Sequence, residues 1–178
     1  MVSLYRPQSC EYISRVGIYA MTRLYSNAAL FRRSPRIGAT WMTREDREAE
    51  IADYVSYLDR VAEEVRHSLT GAAPRIVVLG FSQGTATVCR WLAASEMRAD
   101  QLVLWAGTIP PELDLVAWTE RLQGAAITLV AGDADQMVPP SAMASEGERL
   151  SSAGVAFTIE RYAGAHEIAA SGLTSLSG

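Results

Sequence analysis

The sequence predicts an α/β fold, with a doubly wound, mostly parallel sheet and helices on both faces. From residue 75 onward, short apolar runs rich in β-formers alternate with segments of helical periodicity, which is typical of βαβ units. The first of these runs has little polar alternation, as expected of a strand covered on both faces. A chain of 178 residues, 49% of them apolar, can bury one sizeable core. We therefore expect a single domain over residues 1–178.

The first element of this fold is a long amphipathic helix that begins near Thr43 and ends before Gly71. Thr43 and Asp46 resemble a capping box with aspartate in the place of glutamate, and the glycine favours the end of the helix. Apolar residues recur at steps of three and four, as one buried helix face requires. They are Ile51, Tyr54, Val55, Leu58, Val61, Val65 and Leu69.

Four strands and three further helices complete the prediction. The strands are RIVVLGF, QLVLWAG, AAITLVAG and VAFTIERY, which begin at Arg75, Gln101, Ala125 and Val155. Helices are predicted from Thr85 to Ser95 and from Pro140 to Ser152. The stretch DLVAWTERL is interpreted as a crossover helix, with a place on the rim of a substrate site as the alternative.

The composition argues against several classes of function. A net charge of −4 is unlike a nucleic-acid-binding surface, which usually has a basic excess. Arg6, Arg15 and Arg23 interrupt the apolar patches near the N-terminus, so neither a signal peptide nor a membrane span is expected. Two cysteines are too few for a disulfide framework, which fits the cytoplasm. The sequence has no metal-ligand spacing and no phosphate cradle, so no cofactor is expected, and the oligomeric state stays open, a homodimer included.

GFSQG, from Gly80 to Gly84, lies where the first predicted strand meets the next helix. A serine between glycines at this junction is the pattern of a nucleophile elbow, a sharp turn that exposes the hydroxyl above the sheet. The following helix directs its N-terminal N–H groups and its dipole toward the place where an oxyanion would form. Ser82 is therefore a candidate nucleophile.

A serine nucleophile needs a base, and the base needs an acid that orients it. Of the two histidines, His67 is interpreted as a helix-end residue at the negative end of the dipole, whereas His166 follows the last predicted strand and is the candidate base. Asp133 and Asp135 follow the third strand, and both would also suit a turn. With Asp135 as the acid, the chain order is serine, aspartate, histidine, with each residue after a strand, as in α/β hydrolases.

These residues resemble the phospholipase/carboxylesterase family of α/β hydrolases, which includes bacterial serine esterases and acyl-protein thioesterases. GFSQG resembles its nucleophile signature, with Thr85 where the family often has a further glycine. GDADQMVP is similar to the acid loop in a register that selects Asp135 over Asp133, and GAHEI is similar to the histidine loop. GATWM, from Gly38 to Met42, resembles the segment that precedes the long helix. The resemblance covers roughly residues 28–169 and implies the α/β-hydrolase fold.

The resemblance also implies a function. It indicates a serine carboxylesterase that hydrolyses short to medium acyl esters, small or lipid-like, through an acyl-enzyme, with an acyl thioesterase or lysophospholipase as the alternative. The implied catalytic residues are Ser82, Asp135 and His166, and the amide of Gln83 would bind the oxyanion. The candidate residues of the substrate pocket are Trp41, Trp105 and Met137, and Trp105 could equally cap the sheet.

The N-terminal segment, residues 1–27, departs from the family pattern. The family has a His-Gly-rich loop after its first strand, and the backbone of that loop supplies a second oxyanion donor. Here Tyr5 and Arg6 stand where His-Gly is expected, and Pro7 has no N–H to donate. Arg6 is our candidate for the second donor, with Gln8 as the alternative.

The C-terminal segment departs as well. After His166 the family has a full helix, whereas EIAASGLTSLSG is short, small and polar. We expect residues 170–178 to be poorly ordered, so that the fold is short at both termini. These departures leave a second hypothesis of another class, a catalytically impaired hydrolase-like scaffold that is kept for binding.

Overall fold

The structure is a computed structural model that describes residues 2–5, 47–68 and 75–169. Five strands form one sheet in the order of the chain. The strands β1 to β5 are Val2–Tyr5, Arg75–Phe81, Gln101–Trp105, Ala126–Gly132 and Thr158–Tyr162. The described helices, numbered here α1 to α4, are Arg47–Ser68, Gln83–Ala94, Leu115–Leu122 and Pro140–Ser152.

The strands β2 to β5 are parallel neighbours, and one helix connects each to the next. The sheet register pairs Phe81 with Trp105, Trp105 with Val130, and Gly132 with Tyr162. The carboxyl ends of all four strands therefore lie at one edge of the sheet. This arrangement confirms the predicted α/β architecture with a mostly parallel sheet, and it brings the loops after the strands together, as such sheets do.

The long helix and the helix after GFSQG differ slightly from their predicted bounds. The structure describes α1 from Arg47, so the predicted capping box and the stop at Gly71 lie outside the described residues. Helix α2 begins at Gln83, two residues before the predicted start at Thr85, because Ser82 itself is the residue that precedes the first turn. The stretch DLVAWTERL forms the crossover helix α3, and its Asp114 side chain accepts hydrogen bonds from the N–H groups of Val116 and Ala117, which caps the helix.

Strand β1 is not among the strands that the sequence predicts, and it runs antiparallel to β2. Val2 pairs with Val78, and Tyr5 pairs with Arg75 at the start of β2. At roughly 3.3 Å per residue, the start of β2 lies about 20 Å from its end. The carboxyl end of β1 therefore lies at the edge of the sheet opposite to Ser82.

The first core lies between the sheet and the described helices. The buried apolar side chains of all four helices belong to it, together with alternate residues of β2, β3 and β4. Its largest fully buried members are Trp91, Trp118, Leu92, Leu102, Leu104, Ile109, Leu129 and Leu150. Cys89 lies in the same core, and burial raises the pKa of its thiol, so this cysteine is an apolar packing residue.

The second core lies on the other face of the sheet. It contains Leu79, Val103, Val130 and the aromatic pair Trp105 and Tyr162. In β2, β3 and β4 these residues alternate with members of the first core, which is the period expected of strands that are buried on both faces. The second core reaches the carboxyl edge of the sheet, because its two aromatic residues stand at the last positions of β3 and β5.

We expect the first core to dominate the stability of the fold. Leu104 in the central strand β3 has no exposed surface, so Leu104→Ala should lower the free energy of unfolding by about 2–5 kcal/mol through lost contacts and a cavity. Val116 on α3 is 55% exposed, so Val116→Ala should change it by less than about 0.5 kcal/mol. Urea denaturation followed by tryptophan fluorescence measures both, and equal losses in the two variants would contradict this assignment of the core.

Candidate active site

Ser82 lies in a sharp turn between the end of β2 and the start of α2. Its backbone has a positive φ, with φ 53° and ψ −122°, a conformation that costs a non-glycine residue on the order of 1–3 kcal/mol. Two hydrogen bonds hold it there: its N–H donates to the carbonyl of Trp105 at 2.8 Å, and its carbonyl accepts from the N–H of Thr85 at 3.0 Å. This is the geometry of a nucleophile elbow.

The glycine before this turn allows α2 to pack closely against the end of β2. A Cβ atom on Gly80 would lie 2.6 Å from the carbonyl oxygen of Gly84 and 2.7 Å from Cα of Thr85. Thr85 is fully buried, and its hydroxyl donates to the carbonyl of Gly80 at 3.1 Å. The threonine that stands where the resemblance implies a further glycine thus fits the turn and ties the helix to the strand.

The structure brings together Ser82, His166 and Asp135 in one chain of hydrogen bonds. Nε2 of His166 lies 2.9 Å from Oγ of Ser82, and Nδ1 lies 2.8 Å from Oδ2 of Asp135. Because an ionised carboxylate only accepts hydrogen bonds, Nδ1 carries the proton in this arrangement and Nε2 is left to accept one from the serine hydroxyl. The arrangement can therefore activate a serine.

The carboxylate of Asp135 is buried and held in a fixed orientation. Its Oδ1 accepts hydrogen bonds from the N–H groups of Met137 at 2.8 Å and Val138 at 2.9 Å, and its side chain has no exposed surface. Burial by itself raises the pKa of the carboxyl, but the hydrogen bonds from Val138, His166 and Met137 outweigh burial and hold the pKa below its ordinary value. Asp135 is thus ionised at neutral pH and points its free oxygen at the imidazole.

His166 lies in the loop after β5, with its side chain 22% exposed. The ring of Phe81 packs beside the imidazole, with ring centroids 5.0 Å apart and a tilt of 39°. Sequence reasoning did not single out Phe81, although it is the residue between the first glycine and the serine of GFSQG. The contact restricts the imidazole on one side and leaves its Nε2 atom facing the serine.

The alternatives to the base and the acid lie elsewhere. His67 is in the last turn of α1, where it is exposed and its Nδ1 lies 2.9 Å from the carbonyl oxygen of Glu63, as expected for a helix-end histidine. Asp133 forms an exposed ion pair with Arg161 at 2.6 Å. In the structure Asp135 contacts His166 and Asp133 does not. The register of the acid loop in the sequence selects the same aspartate.

The candidate pocket residues occupy different environments. The side chain of Trp105 has no exposed surface, which is the position of a residue that caps the sheet and not of a pocket wall. Met137 is 73% exposed next to the buried Asp135, so its side chain is open to solvent beside the candidate acid, and its assignment to the pocket stays a prediction. Trp41 lies outside the described residues.

Of the candidate oxyanion donors, only Gln83 lies within the described residues. Gln83 is the first residue of α2, so its N–H lies at the positive end of the helix dipole and directly after Ser82. Arg6 and Gln8 lie outside the described residues, and their assignment stays a prediction. The nearest described residue, Tyr5, pairs with Arg75 at the opposite edge of the sheet.

No group of three or more histidine, cysteine, aspartate or glutamate side chains within residues 47–68 and 75–169 is arranged to hold a metal ion. Among the helices that the structure describes, none is long and apolar enough to cross a membrane.

The parallel sheet, the elbow and the loops at its carboxyl edge define an α/β hydrolase. The family model described as Phospholipase/Carboxylesterase matches residues 2–177. The chain therefore belongs to the phospholipase/carboxylesterase family, as its motifs indicate. No curated protein sequence matches the chain.

Several solved structures share the fold. They include SOBER1 of Arabidopsis thaliana, with 21% identity and a TM-score of 0.55, a carboxylesterase of Bacillus cereus, with 19% and 0.53, and acyl-protein thioesterase 2 of Zea mays, with 16% and 0.50. The matches cover 72%, 74% and 72% of this chain and 60%, 59% and 60% of those chains. This chain thus matches about three fifths of the length of each neighbour. At these identities the likeness shows the fold.

The close contact at Gly80 leads to a prediction about the elbow. Gly80→Ala should lower the free energy of unfolding by about 1–3 kcal/mol, because the new methyl group meets backbone atoms that cannot rotate away. The control is Gly147→Ala in α4, where the added Cβ meets the ring of Phe157 at 3.3 Å and helix propensity improves by about 1 kcal/mol. Urea denaturation of both variants measures the difference. A Gly80→Ala protein as stable as Gly147→Ala would contradict the tight turn.

Proposed function

We propose that this protein is a serine carboxylesterase that hydrolyses short to medium acyl esters through an acyl-enzyme intermediate. The observation that carries the proposal is the chain of hydrogen bonds from Asp135 through His166 to Ser82, at 2.8 and 2.9 Å. Membership of the phospholipase/carboxylesterase family supports ester hydrolysis as the reaction class. The substrate would be a small or lipid-like acyl ester, and the cytoplasm is the location proposed from the cysteine content.

The first half of the reaction forms the acyl-enzyme. Oγ of Ser82 attacks the carbonyl carbon of the ester while Nε2 of His166 takes the hydroxyl proton. The carboxylate of Asp135 stabilises the imidazolium, and the N–H of Gln83 donates to the negative oxygen of the tetrahedral intermediate. His166 then gives its proton to the leaving alkoxide, and the bond between the acyl carbon and the alcohol oxygen breaks.

The second half releases the acid. A water molecule gives a proton to His166 and attacks the acyl carbon, and the bond to Oγ of Ser82 breaks as the imidazolium returns the proton to the serine. The same two hydrogen bonds therefore serve both halves. An acyl thioester or the ester of a lysophospholipid fits this sequence of steps equally well. A thioesterase or lysophospholipase is therefore the alternative within the family.

One observation favours a candidate function of another class, a hydrolase-like scaffold with weak or no chemistry. Strand β1 runs antiparallel to β2, and its carboxyl end lies at the edge opposite to Ser82. A loop that continues from the end of β1 therefore starts far from the oxyanion. Loss of one oxyanion donor can cost a factor of about 100–1,000 in turnover, so the two functions differ in a measurable rate.

The nucleophile is tested with a chromogenic ester. Wild-type protein should release p-nitrophenol from p-nitrophenyl acetate or butyrate in a burst stoichiometric with protein, because acylation by an activated serine precedes hydrolysis. Ser82→Ala should abolish the burst and reduce turnover by a factor of about 10⁴ or more. Ser152→Ala, which removes an exposed hydroxyl at the end of α4 that bonds its own helix, should leave both unchanged.

A fluorophosphonate probe separates the esterase from the scaffold. The probe should label wild type and Ser152→Ala and should leave Ser82→Ala unlabelled. A wild-type protein that is neither labelled nor active would end the esterase proposal and support the scaffold. Labelling with activity on acyl thioesters but not on oxygen esters would select the thioesterase.

The acid is tested by a pair of matched substitutions. Asp135→Asn should lower kcat by about 10⁴, since an amide at this position favours the wrong imidazole tautomer. Asp133→Asn removes an exposed ion pair two residues away and should retain activity. Because the pKa of Asp135 lies below its ordinary value, this carboxylate stays ionised as the pH falls from about 8 to 5. Only a neutral imidazole can accept the serine proton, so activity should fall as the pH falls if His166 is the base.

The pH–rate profile of kcat/KM from pH 5 to 8, measured on wild type and Asp133→Asn, provides this test. A profile that is flat over the range would remove His166 from the mechanism. A collapse of activity in Asp133→Asn, with Asp135→Asn still active, would exchange the roles of the two aspartates.

A further inference from the structure

His166 lies at the tip of a three-residue turn. The N–H of Glu167 donates to the carbonyl of Ala165 at 2.9 Å, which closes the chain around the histidine in the manner of a γ-turn. So small a turn has few hydrogen bonds of its own. The orientation of the imidazole therefore depends on what holds the carbonyl groups on either side of it.

Two buried aromatic side chains hold those carbonyl groups. The hydroxyl of Tyr162 lies 2.7 Å from the carbonyl oxygen of Ala165 and 2.5 Å from that of Glu167. The indole N–H of Trp105 donates to the same Glu167 carbonyl at 2.9 Å and lies 3.3 Å from the Tyr162 hydroxyl. The two rings pack against each other with centroids 5.3 Å apart, and their relative exposures are 0% and 5%.

Trp105 also forms a hydrogen bond with the backbone of Ser82. Its carbonyl accepts the N–H of Ser82 at 2.8 Å, so a single residue is bonded through its main chain to the elbow and through its side chain to the histidine turn. The end of the neighbouring strand β4 supports the same turn. A Cβ atom on Gly132 would lie 2.5 Å from the carbonyl oxygen of Gly164 and 2.7 Å from that of Ala165, so the turn rests directly on the backbone there.

We propose that Trp105 and Tyr162 are positioning residues that set the separation of His166 Nε2 and Ser82 Oγ. The inference rests on the proposed function of that serine and histidine. The polar atoms of both side chains bond to the main chain of the histidine turn and to each other, and not to Oγ of Ser82 or to the imidazole. They act through the carbonyls of Ala165 and Glu167, and removal of either hydrogen-bond donor lets the imidazole move away from the serine and from Asp135.

Both variants remove a hydrogen-bond donor and keep an aromatic side chain, although Trp105→Phe also replaces the indole with a smaller ring. Tyr162→Phe deletes one oxygen atom, and Trp105→Phe deletes the indole N–H. The matched control is Trp118→Phe, since Trp118 is equally buried and its indole N–H also donates to a backbone carbonyl, that of Cys89 at 3.2 Å. Trp118 lies in the first core, away from the histidine turn.

We expect Trp105→Phe and Tyr162→Phe each to lower kcat on p-nitrophenyl butyrate by about 10- to 100-fold with little change in KM, as for a misplacement of about 1 Å. Trp118→Phe should keep the wild-type kcat even where its melting temperature falls as far. Because the two donors share one carbonyl, the double variant should lose less than the product of the single losses. Wild-type kcat in both single variants would overturn the proposal.

A second readout does not depend on ester hydrolysis. The Nδ1 proton of His166, which is shared with Asp135, should give a low-field proton resonance in wild type and Trp118→Phe, and it should shift or broaden in Trp105→Phe and Tyr162→Phe. If wild type hydrolyses no ester, the proposed function fails, and this resonance still decides the positioning role: its retention in both variants overturns the role, and its loss supports it. Should Trp105→Phe fail to fold, Tyr162→Phe carries the same test.

Discussion

The positive-φ turn at Ser82 is the constraint on which the rest of the site depends. A serine does not adopt this backbone unless its surroundings compensate for a cost on the order of 1–3 kcal/mol. Here the compensation comes from two peptide hydrogen bonds, to Trp105 and from Thr85, and from the close contact that Gly80 permits. Residues of β2, β3 and α2 thus stabilise the turn together, and the hydroxyl is fixed relative to all three elements.

The carboxyl edge of the sheet also holds the negative charge of the site, on Asp135. Asp135 is buried, and burial alone would favour its neutral form. Two backbone N–H groups and the imidazole outweigh burial and keep it charged. The buried charge lies next to Nδ1 of His166, where a positive imidazolium would form during a reaction. A charge held in this position stabilises an imidazolium without any movement of the protein.

The elements that the sequence predicts well are those with strong local signals. The long helix α1 has an apolar residue at nearly every third or fourth position, and the strands β2 to β4 are short apolar runs. Strand β1 has four residues and no such context, and its antiparallel direction depends on pairing with β2, which no local pattern encodes. Trp105 is a similar case, since a tryptophan at the end of a strand suits a pocket or a core equally well, and its burial is a property of the folded sheet.

The sequence by itself determined the fold class, the family, and the chain order of Ser82, Asp135 and His166, because periodicity and short motifs are written in contiguous residues. Only the tertiary structure decided how these groups are held. The hydrogen bonds from Ser82 to Trp105 and from Trp105 to Glu167 join residues whose contact arises from the parallel register of β2, β3, β4 and β5. The register places the ends of separate strands side by side. Such contacts have no characteristic spacing in the sequence, so they could not be predicted from it.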